Sequence, residues 1–139
     1  MKQVSVFLEN SPGRLAEATR ILGDAGHNMH ALTVADTSDF GVARIIVDNP
    51  EQAAAELKKR GISAQVHDVC AVAITDEPGQ LSELLDIIAG QDFDISYCYC
   101  FVHPVTSSAV NVFRLNSPEV IPFIRDAGYR VLELEDLHA

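Results

Sequence analysis

The sequence predicts an α+β protein made of two copies of one β-α-β-β-α-β unit. The segment NSPGRL at residues 10–15 returns 66 residues later as DEPGQL at 76–81. At the same spacing, GHNM at 26–29 corresponds to DFDI at 92–95. Strand-like alternation and helical spacing of apolar residues also follow one order in both halves. Because a duplication defines the architectural unit of a chain, we expect structure and function to repeat.

The first half opens with a strand and a helix. Apolar residues stand at every second position over 4–8, as in a strand with one buried face. We expect the helix to begin with Ser11 as N-cap and Pro12 in the first helical position. Gly26 falls where a glycine commonly ends a helix. The stripe that we expect to face the core consists of Leu15, Ala18, Ile21, Leu22 and Ala25.

A hairpin, a second helix and a closing strand complete this unit. The runs 29–35 and 42–47 are apolar and β-branched, and the polar segment 36–39 between them predicts a turn. A proline opens the next predicted helix, 50–60, and a glycine follows it. The last predicted strand spans 62–68.

The second half predicts the same elements in the same order. They are a strand at 70–75, a helix at 78–89, strands near 95–102 and 109–115, a helix at 118–127 and a strand at 130–134. The inward stripe of its first helix is expected to be Leu81, Leu84, Leu85 and Ile88. This order produces a four-stranded antiparallel sheet with two helices on one face, the ferredoxin-like arrangement.

We expect two domains, residues 1–68 and 69–139, that pack together. The joining segment 62–75 predicts nearly continuous extended chain, without glycine, proline or a serine-rich spacer. Units of this size bury only about 60% of their unfolded surface and are marginal alone. Such sheets leave one face and their edges available, so we also expect two chains to form a homodimer.

Composition argues against several classes of function. The net charge is −10, and the second half carries 3 Lys and Arg against 11 Asp and Glu. Nucleic acids, which are held largely through Lys and Arg, are therefore poor partners. No apolar run approaches the ~20 residues of a membrane span, and three cysteines do not indicate a disulfide framework. The start lacks the apolar stretch of a signal peptide, so we expect a cytoplasmic protein.

The repeated motifs resemble those of the ACT domain, a small-molecule-binding regulatory module. They are Asn-x-Pro-Gly-x-Leu at the opening of a helix and Gly-x-Asn-apolar at the opening of the next strand. The second copy carries acids in place of both asparagines. The resemblance covers essentially the whole chain, which is similar to the stand-alone tandem ACT proteins of bacteria. It implies that a free amino acid binds between paired domains.

The chemistry of the motif supports this expectation. A helix start offers backbone N–H groups and partial positive charge to a carboxylate, and an asparagine can both accept and donate hydrogen bonds. A glycine lets a ligand approach the backbone closely. The alternative is that the motif is only a helix cap and a turn. The expected ligand-binding residues are Asn10, Ser11, Gly13, Arg14, Leu15, Asn28 and Met29, with Asp76, Gly79, Gln80, Leu81, Asp94 and Ile95 in the second copy.

Signs of catalysis or metal binding are few. Cys98, Cys100 and His103 stand close together, but their spacing is not a usual zinc pattern, and we expect buried strand cysteines. Cys70 falls in an apolar strand and is expected to be inert core. Tyr97 either fills the core or an interface, or shapes one ligand pocket. The acids around 76 and 94 are open to interpretation as charged loops or as a cation site. We therefore predict no catalytic residues, no metal and no cofactor.

The resulting hypothesis is a non-catalytic regulatory module that senses a free amino acid. A ligand of about ten heavy atoms predicts micromolar to millimolar dissociation constants. In related domains the ligand lies between the first loop of one domain and the second strand of its neighbour. Charge balance then favours Asn10 facing Asp94 and Asp76 facing Asn28. The alternatives are a ligand-free subunit regulating a separate enzyme of amino-acid or carboxylic-acid metabolism, and a metal-responsive protein.

Overall fold

The computed structural model describes residues 1–9, 11–36, 40–103 and 108–138 of the 139-residue chain. These residues form eight β-strands and four α-helices, together with two short 3-10 turns. No helix within these ranges is both long and apolar enough to cross a membrane.

The chain separates into two compact units, Lys2–Asp68 and Val69–Ala139. Met1 belongs to the second unit, where its amino group lies 3.1 Å from the carboxylate of Glu133. We call these the first and the second unit. Each has its own sheet and its own helices.

The first unit has the predicted β-α-β-β-α-β order. Its neighbouring strands are all antiparallel, in the order β2-β3-β1-β4. Three residues of the predicted hairpin turn, 37–39, lie outside the described residues. The elements are β1 (Lys2–Glu9), α1 (Arg14–Asp24), β2 (Met29–Asp36), β3 (Phe40–Val47), α2 (Pro50–Lys59) and β4 (Ser63–Asp68).

The second unit repeats this topology. Its strands lie in the order β6-β7-β5-β8, again antiparallel. The predicted ferredoxin-like α+β fold is therefore confirmed for both halves. The elements are β5 (Cys70–Ile74), α3 (Gln80–Gly90), β6 (Ile95–Val102), β7 (Ala109–Leu115), α4 (Ile121–Asp126) and β8 (Arg130–Leu132), with 3-10 turns at Pro118–Val120 and Leu134–Leu137.

Each core lies between one face of the sheet and its two helices. In the first unit Val4, Val6 and Leu8 point to the helix side, as their period of two predicts, and pack in one cluster with Leu22 of α1 and Leu57 of α2. Burying a side chain of this size stabilises a fold by about 1.5 to 3 kcal/mol. The other residues of β1 therefore lie on the face turned away from the helices.

The largest fully buried side chain of the second core is that of Phe113 of β7. It packs in one cluster with Leu84 and Ile88 of α3 and Ile124 of α4. The helices thus lie on one face of this sheet as well.

Both first helices begin later than the sequence predicted. Helix α1 starts at Arg14 and α3 at Gln80, so Ser11 is not an N-cap and Pro12 is not the first helical residue. The reason is the glycine that precedes each helix, Gly13 or Gly79, which has a φ of 86° or 87°. This left-handed conformation cannot continue a right-handed helix, so the helix begins only after it.

The apolar stripes that face the core are shorter along each helix than the sequence predicted. Ala18, Ile21 and Leu22 of α1 are buried, but Leu15 and Ala25 are exposed. In α3 the equivalent of Leu15 is Leu81, which is exposed as well. These residues lie in the first turn of a helix or at its C-cap, and they belong to neither core cluster described above. Leu84 and Ile88 are buried as predicted, and Leu85 is half-buried.

The first helix of each unit ends in a left-handed residue, as predicted for Gly26, which has a φ of 82°. The N–H of His27 then donates to the carbonyl of Leu22 at 2.9 Å. In the second unit Asp92 takes this position with a φ of 60°. Asp tolerates this conformation better than most residues because its short polar side chain can bond locally.

The last helix is shorter than the predicted 118–127. The Oγ of Ser117 accepts from the N–H of Glu119 at 3.2 Å and caps a 3-10 turn, and α4 begins only at Ile121. The N–H of Ile121 donates to the carbonyl of Pro118. The next residue, Pro122, has no N–H for an α-helical bond to that carbonyl. The proline therefore divides the predicted helix.

The final strand is also shorter than the predicted 130–134, since β8 ends at Leu132. The N–H of Glu133 donates to the Asp136 carboxylate at 2.8 Å and so leaves the sheet ladder. This bond, assisted by Arg130, lowers the pKa of Asp136. A capping box between Glu133 and Asp136 thus ends the strand.

Candidate ligand-binding site

The loop between the first strand and the first helix has the same backbone turn in both units. The N–H of Ser11 donates to the carbonyl of Glu9 at 2.7 Å, and that of Glu77 donates to Thr75 at 2.9 Å. The left-handed glycine follows in each case. We call residues 11–15 and 76–81 the first and the second loop. Asn10, predicted as a ligand contact of the first loop, lies outside the described residues.

Each loop presents the start of a helix that no described side chain caps. The carbonyl of Gly13 accepts from the N–H of Glu17 at 2.9 Å, and that of Gly79 accepts from Glu83 at 3.0 Å. These are the first bonds of the helices. In the second loop the N–H of Gln80 donates to the Glu77 carbonyl at 3.3 Å, and the other N–H groups of the first turns lack intrahelical acceptors. Together with the helix dipole they suit a carboxylate ligand.

The space in front of both glycines is open. A Cβ built on Gly13 or Gly79 would meet no described atom within 4 Å. A side chain at either position would occupy this space, which a ligand would need in order to approach the backbone. The positive φ is a further reason for glycine at these positions, and the sequence pattern alone did not reveal it.

We expect Gly13→Ala to lower the free energy of unfolding by about 1 to 2 kcal/mol, because an L side chain is strained at this φ. Gly23→Ala is the matched control in the same helix: it too has open space, but no positive φ. An alanine in a helix interior should raise the free energy of unfolding by about 0.5 to 1 kcal/mol. Urea denaturation measures both changes. Equal effects of the two substitutions would contradict the assignment of Gly13 as the conformational requirement.

The predicted contacts on the following strand lie beside a β-bulge that both units share. The register of β2 shifts between Met29 and Ala31, and that of β6 shifts between Ile95 and Tyr97. Bulges are common beside functional sites, where they redirect side chains. Met29 and Ile95 are half-buried, whereas the preceding Asn28 and Asp94 are exposed.

The backbone of Asp94 is held in place. Its N–H donates to the side-chain oxygen of Asn116 at 3.3 Å, and the N–H of Asn116 donates back to the Asp94 carbonyl at 3.3 Å. The Asp94 side chain is exposed, so its carboxylate remains accessible to a cation such as an ammonium group.

Within one unit the structure does not bring the loop and the bulged strand together. Strand β1 leads into the first loop, and β2 runs parallel to it because both are antiparallel to β3. The start of β2 therefore lies at the opposite end of the sheet from the first loop. Helix α1, of 11 residues, joins the two ends and spans roughly 16 Å. The second unit has the same separation.

The predicted residues thus form two groups in each unit. The loop groups are exposed or half-buried and consist of Ser11, Gly13, Arg14 and Leu15, and of Asp76, Gly79, Gln80 and Leu81. The strand groups consist of Asn28 with Met29, and of Asp94 with Ile95.

The two loops differ in charge. Arg14, the first residue of α1, donates from Nη1 to the Glu17 carboxylate at 2.8 Å. Its Nε is buried and has no hydrogen-bond partner among the described residues. The second loop has Gln80 at this position and carries the acids Asp76 and Glu77. The first loop is therefore the more favourable of the two for an anionic group.

A pocket of about 300 Å³ opens beside the first loop. Of its lining residues, only Arg14 is among the ligand contacts expected from the sequence. Alternation along β1 places Phe7 and Glu9 on the face away from the helices, but the remaining residues come from distant parts of the chain. Only the strand pairing brings them together. The lining is Phe7, Glu9, Arg14, Phe40, Gly61 and Ser63.

The cysteines of β6 are not buried as the sequence predicted, since Cys98 and Cys100 are exposed. Strand β6 lies at the edge of its sheet, so one side of it has no neighbouring strand. His103 is buried, and its Nε2 lies 3.0 Å from the carbonyl of Leu137. The three residues are therefore not arranged as one metal site.

Cys70 is buried, as predicted for an inert core residue. Burial raises the pKa of its thiol to about 11. The thiol is therefore neutral near pH 7, and a neutral thiol is a poor nucleophile. Tyr97 is half-buried and lies on the face of β6 opposite to Cys98.

Comparison with known proteins identifies the family. The model of the ACT domain pair matches residues 1–125, and the chain belongs to the ACT domain family. A protein from Bacteroides thetaiotaomicron of known crystal structure is 32% identical, with a TM-score of 0.89. The match covers 98% of this chain and 94% of that chain. No curated protein matches the sequence.

Two structures with lower identity share the fold. The ligand-free regulatory subunit of aspartate kinase from Thermus thermophilus is 13% identical, with a TM-score of 0.68, over 91% of this chain and 92% of that chain. The corresponding subunit from Thermus flavus is 14% identical, with a TM-score of 0.67, over 98% and 91%.

Proposed function

We propose that the protein is a regulatory module without catalytic activity that binds a free amino acid. The observation that carries this proposal is the repeated loop, in which an uncapped helix start follows a left-handed glycine with open space in front of it. A backbone donor set of this kind suits the carboxylate that all amino acids share. Side chains near it would then distinguish one amino acid from another.

The ligand contacts proposed are those of the two loops and the two bulged strands, including Asn10. Within one unit these groups lie at opposite ends of the sheet, so a ligand that touches both must be held between two ACT repeats, of one chain or of two. Helix N–H groups would take its carboxylate. Asp94 or Asp76 would take its ammonium group, because each is an exposed carboxylate.

The proposal predicts that an amino acid stabilises the fold. A ligand that binds only the native state, present at 100 times its dissociation constant, adds about 2.7 kcal/mol to the free energy of unfolding. Thermal melting with each of the twenty amino acids at a concentration of about 10 mM covers the expected micromolar to millimolar range. If no amino acid raises the melting temperature, the sensing function is wrong.

The second candidate is a ligand-free subunit that regulates a separately encoded enzyme. The structural neighbours named as regulatory subunits of aspartate kinase favour it. The partner would then be an enzyme of amino-acid or carboxylic-acid metabolism. Failure of the melting screen, together with co-purification of such an enzyme, would replace the first candidate by this one.

We further propose that the repeat boundary lies between Asp68 and Val69, and that two copies form a homodimer. Edge strands β2 and β6 support the dimer, since Leu32, Val34 and Val102 on them are exposed apolar side chains. Sedimentation velocity at micromolar concentration should give about twice the chain mass of 15.1 kDa. A single species of one chain mass would contradict the dimer.

A further inference from the structure

The pocket beside the first loop combines two aromatic rings with one cation and one anion. Its volume of about 300 Å³ lies at the lower end of the range for small-molecule sites. A ligand of amino-acid size is therefore appropriate, and a nucleotide or a large cofactor is not. All six lining residues belong to the first unit.

Strand pairing explains how these residues meet. Phe7 and Glu9 are two positions apart on β1 and so share a face. Their direct partners are Ser63 on β4, opposite Phe7, and Phe40 on β3, opposite Glu9. Side chains of directly paired residues lie close together on one face of a sheet. The four residues therefore form one continuous surface.

This surface lies on the side of the sheet away from the helices, since Val6 and Leu8 point to the core. Phe7 is half-buried and Phe40 is 51% exposed, so both rings line the pocket and remain accessible. Gly61, in the turn before β4, has a φ of 80° and adds no side chain to the pocket.

The charges in the pocket are complementary to a zwitterion. Arg14 has five N–H donors, and the contact with Glu17 is made by Nη1. Its Nε is buried and out of reach of a ligand, so a ligand would contact the terminal nitrogens of the partly exposed guanidinium group. Glu9 is exposed and brings a carboxylate to the same pocket.

The second unit does not have this combination. By strand register, Ala73 corresponds to Phe7 and Ser108 to Phe40. The 66-residue repeat matches Thr75 to Glu9 and Gln80 to Arg14. Both rings and both charges are therefore absent from the equivalent positions, although the backbone fold is the same.

We propose that the pocket of the first unit binds a free amino acid with an aromatic or large aliphatic side chain. Arg14 binds the carboxylate, Glu9 binds the ammonium group, and the rings of Phe7 and Phe40 contact the side chain. This inference rests on the proposed function in its ligand class. The pocket is a separate site from the one proposed between two repeats, although Arg14 belongs to both, and it adds a side-chain preference within one repeat. The two charged side chains disfavour the binding of a purely apolar molecule. The two rings disfavour the binding of an amino acid with an acidic side chain.

Isothermal titration of the full chain with L-phenylalanine, L-leucine and L-aspartate tests the preference. We expect L-phenylalanine or L-leucine to bind at least about tenfold more tightly than L-aspartate, since a tenfold ratio needs only about 1.4 kcal/mol. Two variants carry the second unit's residues, Phe40→Ser and Arg14→Gln, and a third is Glu9→Gln. Each should weaken binding by about tenfold.

The controls are Arg20→Gln on the exposed side of α1 and Phe123→Ser, whose ring is 43% exposed in the second unit. Both should bind as tightly as the unchanged chain, and circular dichroism should show all five variants folded. Binding that survives all three pocket variants overturns this inference alone and leaves the proposed function standing. Tightest binding of L-aspartate also overturns it alone. If these titrations and the melting screen of the twenty amino acids both detect no binding, the inference and the proposed function fail together.

Discussion

Replacing Phe113 by alanine should lower the free energy of unfolding by about 3 to 5 kcal/mol. Its side chain is 0% exposed and packs with residues of β5, α3 and α4. The substitution removes the apolar contacts of a whole ring and leaves a cavity that its β-strand backbone cannot easily close. Small domains have stabilities of about 5 to 15 kcal/mol, so the second unit would lose a large share of its stability.

The matched control is Phe123→Ala, since this ring on α4 is 43% exposed. It should cost less than about 1 kcal/mol. Urea denaturation followed by circular dichroism measures the free energy of unfolding of both variants, each of which replaces a phenylalanine by alanine. Similar losses in the free energy of unfolding for both variants would contradict the assignment of Phe113 to the second core.

The second large effect is expected within α1. Leu22→Ala should lower the free energy of unfolding by about 2 to 5 kcal/mol, because Leu22 is 1% exposed and belongs to the first core. Leu15→Ala should lower it by less than about 1 kcal/mol, because Leu15 is 36% exposed. The two leucines lie on the same face of one helix and differ in burial because Leu15 stands in its first turn.

The two substitutions should have the opposite order of effect on the stabilisation that a ligand produces. Leu15 belongs to the first loop, so Leu15→Ala should reduce the increase in melting temperature that an amino acid produces. Leu22→Ala should melt at a lower temperature but retain that increase. Thermal melting with and without the amino acid separates the two effects. A full increase in Leu15→Ala would remove Leu15 from the ligand contacts.

Most elements could be predicted from the sequence because their signals are local. Alternation along β1, the glycine after α1 and the proline before α2 each act within a few residues. The duplication strengthened every assignment, since an element recognised in one half supported its counterpart in the other. Both sheets are therefore antiparallel and four-stranded, as predicted, and their elements follow the predicted order along the chain.

The errors arose where one residue has two uses. Pro12 is a good first helical residue, but the left-handed Gly13 after it delays the helix. Pro122 has no N–H to donate to the Pro118 carbonyl, so the α-helix cannot include Pro118. A proline is tolerated in the first turn of a helix, and α4 therefore begins at Ile121. The exposure of Cys98 depends on β6 being an edge strand, which is a property of the sheet and not of the local sequence.

The candidate site could be predicted only in part, because some of its residues meet only through strand pairing. Motif spacing identified the loops, because the helix start and its glycine are neighbours in sequence. The pocket beside the first loop depends on pairing between β1, β3 and β4. The spacing of residues along the sequence does not show which of them are paired across strands. The distance between the first loop and Asn28 likewise follows from the direction of β2.

The proline that divides the last helix has a consequence for motion. Helix α4 has 6 residues and β8 has 3, whereas their counterparts α2 and β4 have 10 and 6. Fewer backbone hydrogen bonds are available to hold this end of the second unit, so we expect it to open locally at a lower free energy than α2 and β4. Its amide hydrogens should then exchange with solvent sooner than those of α2. The two halves of a duplicated fold would in that case differ in rigidity although they share one topology.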